Sequence, residues 1–155
     1  MRVTWGSLAE VFRNAVLIAA LSAWVLSQVL KLPIAFARKH EWDWSLLFGP
    51  GGMPSSHSAL VAATATEVGL VDGFGSPLFA LALTLAMVIV YDAAGVRRQA
   101  GLHAQTINAI VNQLLKGQPP PQGRLQEVLG HSPAEVAAGV GLGIVVAVLV
   151  GFAFS

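Results

Sequence analysis

A Pro-Ser-Ser-His turn near the middle of the chain, residues 54–57, combines residue types that can bind and process an anion. It follows a loop rich in glycine and proline, which break helices, and it precedes an apolar run that predicts a helix over residues 59–70. A helix start offers hydroxyls, backbone N–H groups without helical acceptors and the positive end of the helix dipole. His57 adds an imidazole that can exchange a proton near neutral pH. Because Ser55 and Ser56 are also residue types that cap helices, a plain N-cap is the alternative interpretation.

Further charged and titratable residues lie near the ends of the other apolar segments. Arginine offers a planar fork of donors and lysine a point charge, and both suit the oxygens of a phosphate group. The alternatives are ordinary: cations snorkel at the ends of membrane helices, and an aspartate beside arginines forms an ion pair. The candidates are Lys31, Arg38, Asp92, Arg97, Arg98, His131 and Glu135.

Composition indicates a membrane protein. Of the 155 residues, 55% are hydrophobic and 11% are charged, and the mean hydropathy is +0.68. Soluble domains carry about 25% charged residues, so this chain lacks the polar surface to cover itself in water. A net charge of +1 without a basic stripe argues against a nucleic-acid partner. The chain has no cysteine, which excludes disulfides and thiolate metal sites, and its scattered histidines and unpaired carboxylates predict neither a metal nor another cofactor.

Four apolar segments are candidate membrane spans. They are Val11 to Leu32, Ser58 to Val71, Leu78 to Tyr91 (with an extension through Ala94) and Ala134 to Phe154. The first has about 20 residues, enough to cross a hydrocarbon core of about 30 Å. The second is shorter and contains Glu67, a candidate functional residue because it lies inside a span, with a hydrogen bond to a neighbouring helix as the alternative. In the last segment Gly139, Gly141 and Gly143 would let another backbone approach closely.

A fifth segment, His103 to Leu115, is amphipathic and predicts a helix on the membrane surface or against the bundle. The sequence therefore predicts an all-α integral membrane helical bundle, one domain over residues 1–155, with about four transmembrane helices and one interfacial helix. Most Lys and Arg residues lie in the loops after the first and third spans, and this distribution favours the cytoplasmic side for these loops, which carry the candidate residues. The glycine face of the last span also suggests a homodimer.

Taken together, these residues resemble the signature of the phosphatidic acid phosphatase type 2 superfamily, which includes the vanadium haloperoxidases. That signature is Lys, six residues, Arg-Pro; then Pro-Ser-Gly-His; then Ser-Arg, five residues, His, three residues, Asp. Its three motifs are matched in turn by Lys31 with Arg38, by residues 54–57, and by His131 with Glu135. The sequence around the second motif and at residues 91–98 resembles that of the superfamily's small divergent branch. The resemblance extends from residue 31 to residue 139.

The resemblance implies a phosphatase that works without a metal. His131 would be the nucleophile that forms a phosphohistidine, and His57 would be the general acid that protonates the leaving alkoxide. Glu135 would orient His131 and stabilise its cationic form. The remaining candidates would contribute to binding the phosphate: Lys31, Arg38, Ser55, Ser56, Asp92, Arg97 and Arg98.

The chain departs from the signature at several positions. Lys39 replaces the proline of the first motif, and Ser56 replaces the glycine of the second. Leu125 stands where the third motif has arginine. The arginines that could take its place are Arg97, Arg98 and Arg124.

Two assignments in the third motif have alternatives. Arg97 followed by His103 repeats the spacing of arginine and nucleophile, but Ile107 stands where the acid belongs, so His131 is preferred. The run from Ser132 to Glu135 is also a capping box, and Glu135 could close the helix start rather than serve the histidine.

The expected function is hydrolysis of a lipid phosphate or an isoprenyl (di)phosphate whose tail stays in the bilayer. The expected partners are membrane lipids and that substrate. A catalytically inactive phospholipid-binding or structural membrane protein is the alternative. A small transporter subunit is a further alternative, suggested by Glu67 and the glycine-rich last span.

Overall fold

The computed structural model describes residues 10–40, 42, 44, 51–115, 125 and 130–154, and within these ranges the fold is all-α. A 3₁₀ turn, Glu10–Arg13, precedes five helices. The helices are α1 (Ala15–Lys39), α2 (Ser56–Asp72), α3 (Pro77–Ala94), α4 (Val96–Leu114) and α5 (Pro133–Phe154). No strand occurs in the described residues. The prediction of an all-α protein is confirmed.

The helix α1 is displaced along the chain from the predicted first span. It starts after Asn14, whose side-chain oxygen accepts the Leu17 N–H at 3.1 Å, because the residues before Asn14 form the 3₁₀ turn. It continues through Pro33 and ends at His40, which has a left-handed φ of 56° and donates its N–H to the Phe36 carbonyl at 2.8 Å. A proline inside a helix removes one backbone hydrogen bond, and α1 nevertheless continues for six residues beyond Pro33.

The helix α2 occupies the centre of the molecule. It packs against α1, α3 and α5, and α1 also packs against α5. Most of its residues are buried, whereas α3 buries only Ala86 and Ala93. Leu81, Leu85 and Met87 of α3 are each more than half exposed, as apolar residues are where a helix faces lipid.

Three helical stretches of the described residues are long and apolar enough to cross a membrane. They are Ala15–Ala37, Pro77–Leu114 and Pro133–Phe154. The shorter α2 lies among them and is shielded by its neighbours, as the sequence predicted for the segment that contains Glu67. The protein is therefore an integral membrane protein whose apolar helices contact lipid.

Small residues set the spacing between α2 and α5. A Cβ atom on Gly143 would collide with the Ala59 carbonyl oxygen and would lie 2.9 Å from the Ala63 backbone nitrogen. A Cβ on Gly139 would collide with the Ser55 carbonyl oxygen. The predicted close approach of a neighbouring backbone is confirmed at these two glycines. Gly141 takes no part in this contact, because a Cβ there would meet no atom of the described chain within 4 Å.

The amphipathic helix α4 begins earlier than predicted and stands apart from the central helices. It follows α3 after Gly95, and among the described helices it packs only against α3. Its buried face includes Ala104 and Asn108. The Asn108 amide pairs with the backbone of Leu125, donating to its carbonyl at 2.9 Å and accepting its N–H at 3.0 Å. The side chain of Asn108 thereby ties α4 to the segment that leads to α5.

Candidate functional site

The start of α2 lies directly against the start of α5. The Ser55 N–H donates to the Glu135 carbonyl at 3.0 Å, and Gly139, one turn further along α5, adjoins the Ser55 carbonyl. Two glycines with positive φ, Gly51 at 97° and Gly52 at 82°, bring the chain into this position. The Pro-Ser-Ser-His turn and the third motif therefore meet at one end of the bundle.

His131 and Glu135 form a side-chain pair at the start of α5. His131 Nδ1 lies 3.1 Å from Glu135 Oε2, and His131 is 9% exposed. The same oxygen accepts the Ser132 N–H at 3.1 Å, while Ser132 Oγ accepts the Glu135 N–H at 3.4 Å. The two interpretations of Glu135, helix cap and histidine partner, are therefore not exclusive in geometry, because one carboxylate oxygen makes both contacts.

This pairing fixes which nitrogen of His131 is available for chemistry. A carboxylate only accepts hydrogen bonds, so Nδ1 carries the proton that it donates to Glu135. The neutral imidazole then keeps its lone pair on Nε2. The contact thus holds the ring in one tautomer and leaves Nε2 as the ring nitrogen without a proton.

Lys31 brings a positive charge to the same end of the bundle. Its residue is only 3% exposed, although it lies in the membrane-facing helix α1. Burial disfavours the charged form of Lys31, and the Coulomb attraction of the Glu135 carboxylate offsets part of that cost. A buried cation needs such a partner, and a bound anion would add a second one.

Ser55 is the N-cap of α2 and is fully buried. Its Oγ accepts the Ser58 N–H at 3.4 Å and the Ser58 hydroxyl at 3.0 Å. Ser55 therefore caps α2, and it holds the turn in place through both its backbone and its side chain.

Ser56 connects the turn to α1. Its hydroxyl donates to Gln28 Oε1 at 2.6 Å, and the residue is 4% exposed. The Ser56 side chain is therefore engaged between helices, and its backbone N–H belongs to the first turn of α2, where N–H groups have no helical acceptor. His57 follows as the second residue of α2 and is exposed, so it can reach solvent or substrate.

The other candidates are three arginines and an aspartate on α1, α3 and α4, together with Arg124. Arg38 follows Lys31 by two helical turns, about 10 Å along α1, and its side chain is outside the described part of the chain, as are that of Arg97 and all of Arg124. Arg98 is exposed at the start of α4, the helix that packs only against α3 in the described residues. Asp92 is half-buried near the end of α3.

Gln28 and the Gly139 contact were not assigned to the site from the sequence. Gln28 is a lone amide in an otherwise apolar stretch, and a polar residue inside a span is a signal that could have drawn attention to it. The contact of Gly139 with Ser55 joins residues far apart in sequence, so local pattern carries no information about which backbone each glycine meets.

The comparison with known families decides the relationship that the motifs indicated. The sequence profile of the divergent PAP2 family matches residues 12–146. The chain belongs to the divergent PAP2 family. It is also 39% identical over 156 residues to the uncharacterized membrane protein YuiD of Bacillus subtilis strain 168, a match that covers 94% of this chain and 99% of YuiD. No solved structure matches the chain.

Membership covers all three motif positions, since the matched residues include Lys31, the Pro-Ser-Ser-His turn, His131 and Glu135. The protein is therefore a membrane protein of the divergent PAP2 family, and the suspected resemblance is confirmed. The family and its relative YuiD leave the reaction and the substrate to be argued from the residues themselves.

Proposed function

We propose that this divergent PAP2 protein is a phosphatase that hydrolyses a lipid phosphate or an isoprenyl (di)phosphate through a phosphohistidine on His131. The observation that carries the proposal is the His131–Glu135 pair, with Nδ1 3.1 Å from Oε2, joined through the Glu135 carbonyl to the turn that holds His57. This arrangement supplies a nucleophile with a fixed tautomer, a carboxylate to stabilise its cationic form and a second imidazole on the adjoining helix.

The reaction proceeds in two transfers. His131 Nε2 attacks phosphorus, a P–N bond forms, and the P–O bond to the lipid breaks as His57 donates its proton to the leaving oxygen. His57, now neutral, takes a proton from water, whose oxygen attacks phosphorus and breaks the P–N bond. Phosphate leaves, and His131 returns to its neutral tautomer with the Nδ1 proton still directed at Glu135.

Binding of the phosphate falls to Lys31, Arg38 and the first turn of α2. Lys31 supplies a buried ammonium at the level of Glu135, and the Ser56 backbone supplies an N–H at a helix start, where an anion is favoured. Arg38 supplies a guanidinium further along α1, and Ser55 holds the turn in place. Arg97, Arg98 and Asp92 remain candidates for the outer rim of the site.

A substrate with an apolar tail fits the surroundings of this site. The helices that carry it present apolar side chains to lipid, so a phosphate at the helix ends can be reached while the tail stays in the bilayer. The excess of Lys and Arg in the loops at this end favours the cytoplasmic face. A homodimer would use the outer face of α5, where Gly141 is exposed, since Gly139 and Gly143 are covered by α2.

The direct test is phosphate release by the purified protein from a panel of lipid phosphates and isoprenyl diphosphates in detergent. The matched pair is His131→Ala and His103→Ala, since His103 is an exposed histidine on α4 away from the cluster. We expect H131A to abolish release and H103A to leave it unchanged. Vanadate, which resembles the pentacoordinate transition state, should inhibit, and chelators should not.

Glu135→Gln separates the two contacts of that residue. The amide oxygen can still accept the Ser132 N–H, so the helix start should persist, but a neutral amide cannot stabilise an imidazolium. We expect E135Q to fold normally and to lose most of its turnover. Full activity in E135Q would limit Glu135 to the cap, and full activity in H131A would overturn the phosphatase in favour of a phospholipid-binding protein.

A further inference from the structure

Glu67 is a buried carboxyl group that the proposed phosphatase does not use. It lies in α2, its residue is 0% exposed, and it is the largest fully buried side chain among the described residues. Neither Oε1 nor Oε2 has a hydrogen-bond partner in the described part of the chain. Since Glu67 follows Ser56 by 11 residues, it lies about 16 Å along α2 from the candidate site.

The carboxyl group of Glu67 is directed at the interface with α5. It belongs to the same face of α2 as Ala59 and Ala63, which meet the glycine face of α5. At its own level the facing residue is Gly151, where a Cβ would lie 3.6 Å from Oε1 and 3.7 Å from Oε2. A glycine at this point leaves the room that a carboxyl group needs between two closely packed helices.

No charged side chain of the packed helices stands at this depth, and Arg13, in the 3₁₀ turn that precedes α1 at this end of the bundle, is exposed. Residues 15–30 of α1, 77–90 of α3 and 136–154 of α5 contain no titratable residue. Lys31, Asp92 and Glu135 all belong to the opposite ends of their helices, near the candidate site. On α2 itself the only other titratable residue of this half is Asp72, the last residue of the helix.

The chemistry of this position selects a proton as its ligand. An ionised carboxylate without a partner in such surroundings carries a large desolvation penalty, which a bound proton removes. One carboxyl group among apolar residues and glycine offers far too few oxygens for Ca²⁺, which takes six to eight. We infer that Glu67 is a proton-binding site, and that its bound proton holds the far halves of α2 and α5 together.

The Glu67 site is separate from the proposed phosphate site but lies on the same two helices. The helix α2 carries His57 at its start, and α5 carries Glu135 at its start. A charge on Glu67 would draw water between the two helices and would separate them at Gly151. The Ser55–Glu135 backbone contact lies along the same interface, at its opposite end.

Infrared spectroscopy of the purified full chain tests the proton directly. The protein is labelled with ¹³C on the glutamate carboxyl carbon and studied in an ester-free detergent at pH 8, where solvated carboxylates are ionised. We expect a carbonyl band of a protonated carboxylic acid that shifts with the label in the native sequence and is absent from Glu67→Gln. Asp72→Asn and Glu135→Gln should keep the band. If the native protein shows only carboxylate bands, Glu67 is ionised by a partner and the inference is wrong.

Distance measurement tests the coupling to helix packing. Because the chain has no cysteine, spin labels can be placed at Val71 of α2 and Leu149 of α5, which are 59% and 63% exposed. As the pH is raised until the protonated band disappears, we expect the distance between the labels to increase in the otherwise native chain. In Glu67→Gln the distance should stay constant over the same range. A distance that is unchanged when the band is lost would overturn the role of the proton in holding the helices.

Discussion

Replacing Gly143 by alanine tests the packing that brings the site together. The new Cβ would meet the Ala59 carbonyl oxygen and the Ala63 backbone nitrogen, which are parts of the α2 backbone and cannot move aside as a side chain could. Gly141→Ala is a matched control, because it lies one half-turn away on the same helix and its Cβ would meet nothing within 4 Å among the described residues.

The size of the effect follows from what differs between the two variants. Both gain about 1 kcal/mol of helix propensity when glycine becomes alanine, so that gain cancels in the comparison. Overpacking a tight interface costs about 1–3 kcal/mol, and only Gly143→Ala incurs it. At about 2–4 °C per kcal/mol for a chain of this size, Gly143→Ala should unfold roughly 2–12 °C below Gly141→Ala.

The assay is thermal unfolding in detergent, followed by the amount of monodisperse protein that remains after heating. Gly141→Ala should be at least as stable as the native chain, and Gly143→Ala should be clearly less stable than both. Equal unfolding temperatures for the two variants would mean that α2 and α5 do not approach each other at Gly143. The placement of the Pro-Ser-Ser-His turn beside the start of α5 would then lose its main support.

Two further contacts give predictions of their own. Gln28→Ala should destabilise the protein by about 1–3 kcal/mol in a thermal unfolding assay, because the buried Ser56 hydroxyl loses its acceptor. Adding Ser56→Ala should recover part of this loss, and strictly additive effects of the two substitutions would argue against the hydrogen bond. Asn108→Ala should speed hydrogen exchange at the Leu125 amide, because that amide donates to the Asn108 side chain. Thr106→Ala, on an exposed part of the same helix, should leave the exchange rate of the Leu125 amide unchanged. An unchanged rate in Asn108→Ala would show that Asn108 does not hold Leu125.

Much of the helical framework could be predicted because glycine and proline limit the apolar runs. The start of α3 at Pro77 and the start of α5 at Pro133 follow from the preference for proline in the first turn of a helix. The passage of α1 through Pro33 could not be predicted, since local propensity favours an end there.

The contacts of the candidate site differ in the same way: some join neighbours in the sequence and could be predicted, and others join distant residues and could not. The contact of His131 with Glu135 lies within one helical turn, so the spacing of four residues was enough to propose it. The bond between Ser56 and Gln28 joins residues 28 positions apart, and nothing in either local sequence specifies it. Glu135 illustrates a third case, because the sequence offered cap and histidine partner as alternatives while a single oxygen makes both contacts.

Trapping of a phosphoenzyme tests the central claim most directly. The purified protein is mixed with a lipid phosphate that carries a radiolabelled phosphoryl group, and the reaction is stopped with base, in which a phosphohistidine persists. We expect label on the protein that is lost in acid, that is absent from His131→Ala, and that is retained in His103→Ala. Label that persists in His131→Ala, or a native protein that turns over substrate without ever carrying label, would contradict the assignment of His131 as the nucleophile.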